Sequence, residues 1–538
     1  MIQAIKSSPF FYKNFPGLNQ CGYLLFTIIF YNGNRKNKRS FFLMNKKIVS
    51  FVLLACMVIC AFVTSFSGVF AQNEASAPKY IFLFVGDGMS YPQFQTASDY
   101  LGQLQESDDI LSGGIPLSFM EFPIAGSATT FDSTSFAPDS ASTATSFATG
   151  HKTYSGIINM DESKTIPYET IAEKLKKQLN YKVGIITSVN LNHATPAAFY
   201  AHQPSRGNYY EIGEELVASG FEFFGGGAMI SPTGKEKDKK DIYEVMVEGG
   251  YKVVKTYAEA NAVTAADEKV VIIGETLADS NALSYELDRA ENEWSLADYV
   301  RKGIEVINNE TGFFMMVEGG KIDWACHAND AGATIGDTIA LDDAVKVASE
   351  FAAQHPEDTL ILVTGDHETG GLSIGFAGTR YDTYLQNLAS QKITYARYDV
   401  DYVEKYIENK TSFDEAMVDV AELFGLTLPA NAASAAQPTL VLTNSEVADL
   451  ENAFNLSING GTGDRKSYQE YLMYGGYEPF SITINHILNN KSGLSFTSYS
   501  HTGLPVAVFA QGNGEDLFKG YYDNTDIYFK LAELTGVN

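Results

Sequence analysis

Short runs of consecutive apolar residues, rich in β-branched and aromatic side chains, punctuate the chain from residue 79 onward. Lys79–Val85, Tyr181–Thr187, Val270–Ile273, Phe313–Val317, Thr359–Val363 and Pro505–Ala510 read as strands buried on both faces. Amphipathic spacing between them predicts helices over Tyr168–Leu179, Tyr210–Ser219, Leu296–Asn308, Thr334–Ala353 and Thr525–Leu534. Strands alternating with helices imply an α/β fold, a three-layer α/β/α sandwich with a mostly parallel central sheet. Two stretches fit this pattern less well. Residues 207–295 mix short helices and strands around Lys235–Asp241, a charged run that reads as a solvated loop. Residues 371–500 are rich in Tyr and Asn and contain Ala430–Ala436, which reads as a surface loop. They are expected to form an insertion, a lid or crown, and not a separate domain.

The first 71 residues follow a different pattern. Met44-Asn45-Lys46-Lys47 is a basic start, Ile48 to Phe70 is mostly apolar, and Val69-Phe70-Ala71 offers small residues for cleavage before Gln72. Residues 44–71 are therefore expected to be a secretory signal, with Met44 as the true start. Residues 1–43 are then an upstream extension or a second leader, and residues 72–538 the mature domain. The apolar run is also long enough for an uncleaved membrane anchor, which is the alternative. Cleavage leaves no stable membrane association. Export places the protein in the periplasm or outside the cell.

Charge and cysteine content sharpen that picture. The 538-residue chain has a formal charge of −27, and its leader holds eight Lys and Arg with no Asp or Glu, so the remainder is more acidic still. Such a surface argues against nucleic acid as a partner. Of four Cys, only Cys326 lies beyond the leader, which excludes an intrachain disulfide there. Stability must come from the core and from bound metals.

Several polar motifs sit where the predicted strands end, the position at which open α/β sheets place ligands. Gly86-Asp87-Gly88 follows the first strand. Glu318 opens a block that reaches Asp323 and His327, four apart and hence on one helical face. Thr364-Gly365-Asp366-His367 follows the next strand, and His501-Thr502-Gly503 precedes the last. Carboxylates and imidazoles together suit Zn²⁺, and a carboxylate–hydroxyl set suits Mg²⁺. Asp139-Ser140-Ala141 heads a run of small residues. Asp139 there reads as a helix N-cap, and Ser140 as a nucleophile at the helix start.

Together with His193-Ala194-Thr195-Pro196 and Ser205-Arg206, these motifs resemble the alkaline phosphatase family, in order and spacing over about residues 79–535. The resemblance implies hydrolysis of phosphate monoesters through a phosphoserine on Ser140, with two Zn²⁺ and one Mg²⁺. It implies that Asp323, His327 and His501 hold the first Zn²⁺. Asp87, Asp366 and His367 hold the second, with Ser140 as exchangeable ligand. Asp87, Thr195 and Glu318 hold Mg²⁺, and Arg206 clamps the phosphate. His193 and Trp324 stand at two positions that vary within the family. His193 is expected beside the water shell of Mg²⁺, and Trp324 on the substrate side or in packing. Asp139 is expected to orient Arg206 or the helix start, with His202 and Lys152 in support. Many family members are homodimers.

Two other classes compete. A sulfatase of the same superfamily needs a Cys or Ser in a Cys/Ser-x-Pro-x-Arg context, which the sequence around Ser140 lacks, and diesterases often use Thr. A non-catalytic phosphate-binding protein is expected to have lost the nucleophile or Arg206, and both are present.

Overall fold

The computed structural model describes residues 77–105, 111, 113–460 and 467–538. The expected signal at 44–71 and the extension at 1–43 lie outside the described residues. The strands are β1 (Tyr80–Gly86), β2 (Ile124–Thr129), β3 (Lys182–Asn190), β4 (Phe223–Gly227), β5 (Lys252–Val254), β6 (Val270–Ile273), β7 (Phe313–Gly319), β8 (Thr359–Gly365), β9 (Glu368–Thr369), β10 (Ser373–Ile374), β11 (Leu494–Ser495), β12 (His501–Thr502), β13 (Val506–Gly512) and β14 (Gly520–Asp523). Among the described residues, ten of them form one sheet in the order β14-β2-β13-β8-β1-β7-β3-β4-β6-β5. Within it β13 alone runs against its neighbours.

Side-chain alternation along the central strands makes the three layers. Tyr80, Phe82 and Phe84 of β1 join Phe313, Met315 and Val317 of β7 in one apolar cluster, covered by the Tyr91–Gln105, Leu296–Ile307 and Ala331–Gln354 helices. Ile81, Leu83 and Val85 point the other way. There they meet the Ser140–Thr149, Ile171–Leu179 and Thr525–Thr535 helices. Strands buried on both faces lose the polar alternation of a half-exposed strand, which is why these runs stand out in the sequence.

The predicted central strands and long helices are present, with shifts at their ends. The Ile171–Leu179 helix starts three residues later than expected, because Thr170 and Glu173 form a capping box there. Lys235–Asp241 is a solvated loop, as the charge run predicts. Strands β2 and β4 escape the pattern because they are built of small residues. In β2, a Cβ on Gly126 would stand 2.1 Å from the Phe518 carbonyl oxygen, so the neighbouring backbone demands glycine.

Residues 371–500 are mainly helical. Their helices Phe413–Phe424, Asn444–Ile458 and Pro479–Ser492 bury Phe424, Phe454 and Phe480 with Tyr398, in the same cluster as Phe82. The alanine-rich stretch is an exposed 3₁₀ turn, Pro429–Ser434.

Register brings the site together. Gly86 pairs with Gly319 on one side and with Gly365 on the other. Asp87 and Asp366 therefore leave the sheet at one level, beside Glu318, which itself pairs with Thr187 of β3. The fully buried Leu83 sits at the middle of this sheet. Leu83→Ala is expected to cost about 2–5 kcal/mol, measured as a lower urea midpoint with an unchanged slope.

Candidate active site and metal centre

Asp87 lies in the turn after β1. Gly88 makes that turn possible: its φ is +72°, and a Cβ there would stand 2.9 Å from the Asp323 backbone. Asp366 lies in the corresponding turn after β8, where its Oδ1 accepts from the Gly88 and His367 amides at 3.1 and 2.9 Å. The Lys321–His327 helix begins just past β7 and presents Asp323 and His327 on one face, 3.3 Å apart. His501 arrives from far along the chain through a two-residue ladder, in which β12 pairs antiparallel with β9 and sets His501 opposite Thr369. Its ring stacks on that of His367 with centroids 3.6 Å apart.

The hydrogen-bond partners fix where the protons are. His327 Nδ1 sits 2.6 Å from the Tyr499 carbonyl, and His501 Nδ1 sits 2.5 Å from the Pro138 carbonyl. A carbonyl oxygen only accepts, so both Nδ1 atoms carry hydrogen and both Nε2 atoms are turned inward, where they can take a shared proton or a cation. They stand 3.1 Å apart, beside Asp323 at 3.3 and 3.6 Å. Burial opposes charge on His327, but Asp323 outweighs it and lifts that ring to about 9. Burial, with the charges of His327 and Arg206, pushes His501 down. The trio therefore shares one proton, which a divalent cation can replace.

His367 repeats the arrangement. The Thr369 hydroxyl donates to Asp323 Oδ1 at 2.5 Å, so it accepts from His367 Nδ1 at 3.2 Å. His367 Nε2 then faces Asp87 Oδ1, Asp366 Oδ2 and Ser140 Oγ at 3.3, 3.2 and 3.2 Å. Burial pushes Asp366 up to about 7, and burial also holds His367 well below the usual imidazole range. A third group joins Asp87, His193 and Glu318. Asp87 Oδ1, Glu318 Oε1 and His193 Nδ1 are all buried without a hydrogen-bond partner, an arrangement that calls for a cation or ordered water. The Thr195 hydroxyl is 3.4 Å from Asp87 Oδ2. The Asp323–His327–His501 trio, with its facing atoms 3.1 to 3.6 Å apart, and the Asp87–Asp366–His367 group fit metal ions; Asp323, His367 and His501, and Asp87, His193 and Glu318, also stand close enough to surround one ion.

Ser140 opens its helix, and Asp139 is the N-cap, accepting from the Ser142 amide at 3.1 Å. The second Asp139 oxygen accepts from Arg206 Nη1 at 3.0 Å and from the Gly156 amide at 2.9 Å. Asp139 thus serves the helix start and Arg206 together. His193 Nε2 accepts from Arg206 Nη2 at 3.4 Å, and its ring meets Trp324 edge-on at 5.9 Å. Ser140, His193, Arg206, Asp323, Trp324, His327 and His501 open on a cavity of about 340 Å³, together with Asp279, Ser280, Tyr395 and Tyr477.

Every candidate from the sequence motifs thus reaches one site. Lys152 does not. Its ammonium binds the Phe131 carbonyl and pairs with Asp523 at 3.1 Å. Cys326 packs in the core, where burial pushes its thiol up. Sequence reasoning missed Thr369 and the Glu368–Gln93 pair (2.8 Å) behind it. It also missed the lining residues from 279–280, 395 and 477. Thr369 lies two residues past His367, which is the one signal that could have found it.

His202 braces the loop that carries Arg206. Both ring nitrogens donate: Nε2 lies 3.0 Å from the Tyr168 carbonyl and 3.3 Å from Glu173, and Nδ1 lies 3.4 Å from Glu215. Burial opposes the charge, yet the two glutamates raise the ring to about 10. A raised histidine stabilises fully below its unfolded value near 6.5 and ceases to as pH rises through about 10. His202→Gln is therefore expected to cost about 2 kcal/mol at pH 6 and much less above pH 10, read from urea unfolding at both pH values.

The sequence matches the family model described as alkaline phosphatase over residues 78–537. Alkaline phosphatase 4 of Bacillus subtilis is 29% identical over 406 residues, covering 73% of this chain and 76% of its own. The repressible alkaline phosphatase of Saccharomyces cerevisiae is 26% identical over 539 residues, covering 92% of this chain and 88% of its own. Among solved structures, a cold-active alkaline phosphatase from a psychrophilic Shewanella superposes with a TM-score of 0.68 at 26% identity, covering 85% of this chain and 99% of that one.

Proposed function

We propose, from the premise that this chain belongs to the alkaline phosphatase family of metal-dependent phosphate monoester hydrolases, that it works through a phosphoserine on Ser140 with two Zn²⁺ and one Mg²⁺. The observation that carries this reading is the inward-turned Nε2 atoms of His327, His501 and His367, set against Asp323, Asp87 and Asp366 beside the Ser140 hydroxyl. Asp323, His327 and His501 would hold one Zn²⁺, and Asp87, Asp366 and His367 the other. Asp87, Thr195 and Glu318 would hold Mg²⁺. When bound, the ions supply Lewis acidity that favours the alkoxide of Ser140 and offsets charge on the phosphoryl and leaving oxygens.

The protein's own groups do the rest. Arg206, held by Asp139 at 3.0 Å, offers its fork to two nonbridging oxygens and fixes phosphorus against Ser140. Ser140 Oγ attacks phosphorus in line as the ester P–O bond breaks, and the alcohol leaves with a proton. Water then attacks the phosphoserine, releasing inorganic phosphate and restoring the hydroxyl. The first turn of the Ser140 helix adds a favourable dipole for the anion. His193 is fixed by its bond from Arg206: with Nε2 accepting, Nδ1 carries hydrogen and is a donor to a water shell, not a ligand.

The protein is exported under this proposal, its signal lying outside the described residues. No described helix is long and apolar enough to cross a membrane.

Metal-loaded protein is expected to hydrolyse p-nitrophenyl phosphate in preference to its bis-ester. Chelation should abolish turnover and Zn²⁺ with Mg²⁺ restore it. Ser140→Ala should lower kcat by about 10³-fold or more and prevent capture of ³²P-phosphate on the protein at acid pH. Preferred hydrolysis of the bis-ester, or an unaffected Ser140→Ala enzyme, contradicts the reading. A second expectation concerns the variable pair. The H193D/W324K double substitution should change inhibition by inorganic phosphate and shift the pH optimum, and unchanged phosphate inhibition counts against a substrate-side role for the pair.

A further inference from the structure

The cavity has a second composition away from the metal ligands. Trp324, from the helix after β7, shares its wall with Tyr395 and Tyr477 from residues 371–500. Tyr395 is buried, while Trp324 and Tyr477 are half-buried and leave ring surface at the opening. This wall is braced from behind. Tyr477 meets Tyr395 edge-on, with centroids 5.7 Å apart at 87°. The Tyr395 hydroxyl shares a 3.2 Å hydrogen bond with Tyr285. The fully buried Lys321 ammonium lies 3.9 Å from the Tyr285 ring centroid and 4.7 Å from that of Trp324.

Lys321 also pairs with Asp279, which lines the same cavity. The pairing offsets a carboxylate that would repel an anionic substrate. Ser280 and Asn281 beside it hold φ of +52° and +59°. Asn190 Nδ2 keeps them there by donating to the Ser280 and Asn281 carbonyls at 3.0 and 3.3 Å, and to the Ala228 carbonyl at 2.7 Å. The turn is thus held in place at a steric cost, as binding surfaces often are. A site that bound the phosphoryl group alone would need neither the braced aromatic rings nor this turn.

In-line attack by Ser140 sends the alcohol away from the serine into the cavity that Ser140 shares with Trp324 and Tyr477. We infer that Trp324 and Tyr477, held by Tyr395 and Lys321, form a leaving-group subsite for planar rings. Its substrates are phosphate monoesters whose alcohol carries an uncharged aromatic ring, nucleoside monophosphates among them, in preference to those of small polyols. The inference rests on the monoesterase reading and adds the substrate class.

AMP and ribose 5-phosphate isolate the ring, because both release a primary sugar alcohol and differ in the base. The metal-loaded enzyme is expected to show a kcat/KM for AMP about three- to tenfold above that for ribose 5-phosphate, the range for one aromatic contact. Tyr477→Ala and, separately, Trp324→Leu should bring the ratio close to one. Binding gives a readout that needs no turnover. The chain has two tryptophans, and Trp294 packs on Tyr257 and Tyr299 outside the cavity. In a metal-loaded Ser140→Ala/Trp294→Phe protein, AMP should quench the remaining indole and ribose 5-phosphate should not. A ratio near one in the unsubstituted enzyme, a ratio that survives both wall substitutions, or equal quenching by the two ligands overturns the subsite. Absence of turnover with either ester would instead overturn the monoesterase reading, which the quenching arm does not require.

Discussion

Two backbone carbonyls determine most of what this site can do. By accepting from Nδ1 of His327 and of His501, the Tyr499 and Pro138 carbonyls turn both Nε2 lone pairs toward Asp323. Thr369 does the same for His367 through its bond to Asp323. Acceptors facing acceptors in a buried place repel one another unless a proton or a cation lies between them. Metal binding is therefore built into the tautomers, and the tautomers are built into the chain trace. Tyr499 lies at the end of the long 371–500 segment and Pro138 just before Asp139 and Ser140, so both must be in place before the histidines can converge.

The sheet makes that convergence affordable. The three central strands end in register, with Gly86 between Gly319 and Gly365, so four carboxylates leave at one edge without long loops. Their crowding is unfavourable: burial, together with the charge of the neighbouring carboxylates, pushes Glu318 and Asp366 up to about 7. Packing on both faces of β1 and its neighbours offsets this cost. Asp87, Glu318, Asp366 and His367 are buried, while Arg206, Trp324, His327 and His501 keep contact with solvent at the cavity.

Much of this was legible in the sequence because each strand exit announces itself twice, by the end of an apolar run and by a Gly-Asp or Glu-Gly pair. Asp87, Glu318, Asp366 and His367 belong to that class. Asp323 and His327 were legible from helical spacing. His501 could be found as a motif, but its neighbourhood could not: a two-residue ladder to Thr369 sets it beside His367, and nothing local encodes a pairing over that distance. The aromatic wall was invisible for the same reason. Tyr395 and Tyr477 sit in a tyrosine-rich stretch where no local pattern separates lining residues from core. The glycine-bearing strands β2 and β4 escaped because their small residues answer to neighbouring backbone and side chains, a tertiary demand that hydrophobic periodicity does not register.

X-ray absorption at the zinc edge of the metal-loaded protein tests the central claim most directly. The account predicts a first shell of nitrogen and oxygen with imidazole outer-shell scattering, two rings at one ion and one at the other. It also predicts no sulfur, although Cys326 adjoins His327, because that thiol is buried in the core beside Gln93 and Thr334. A shell of oxygen alone, or one containing thiolate, would contradict it.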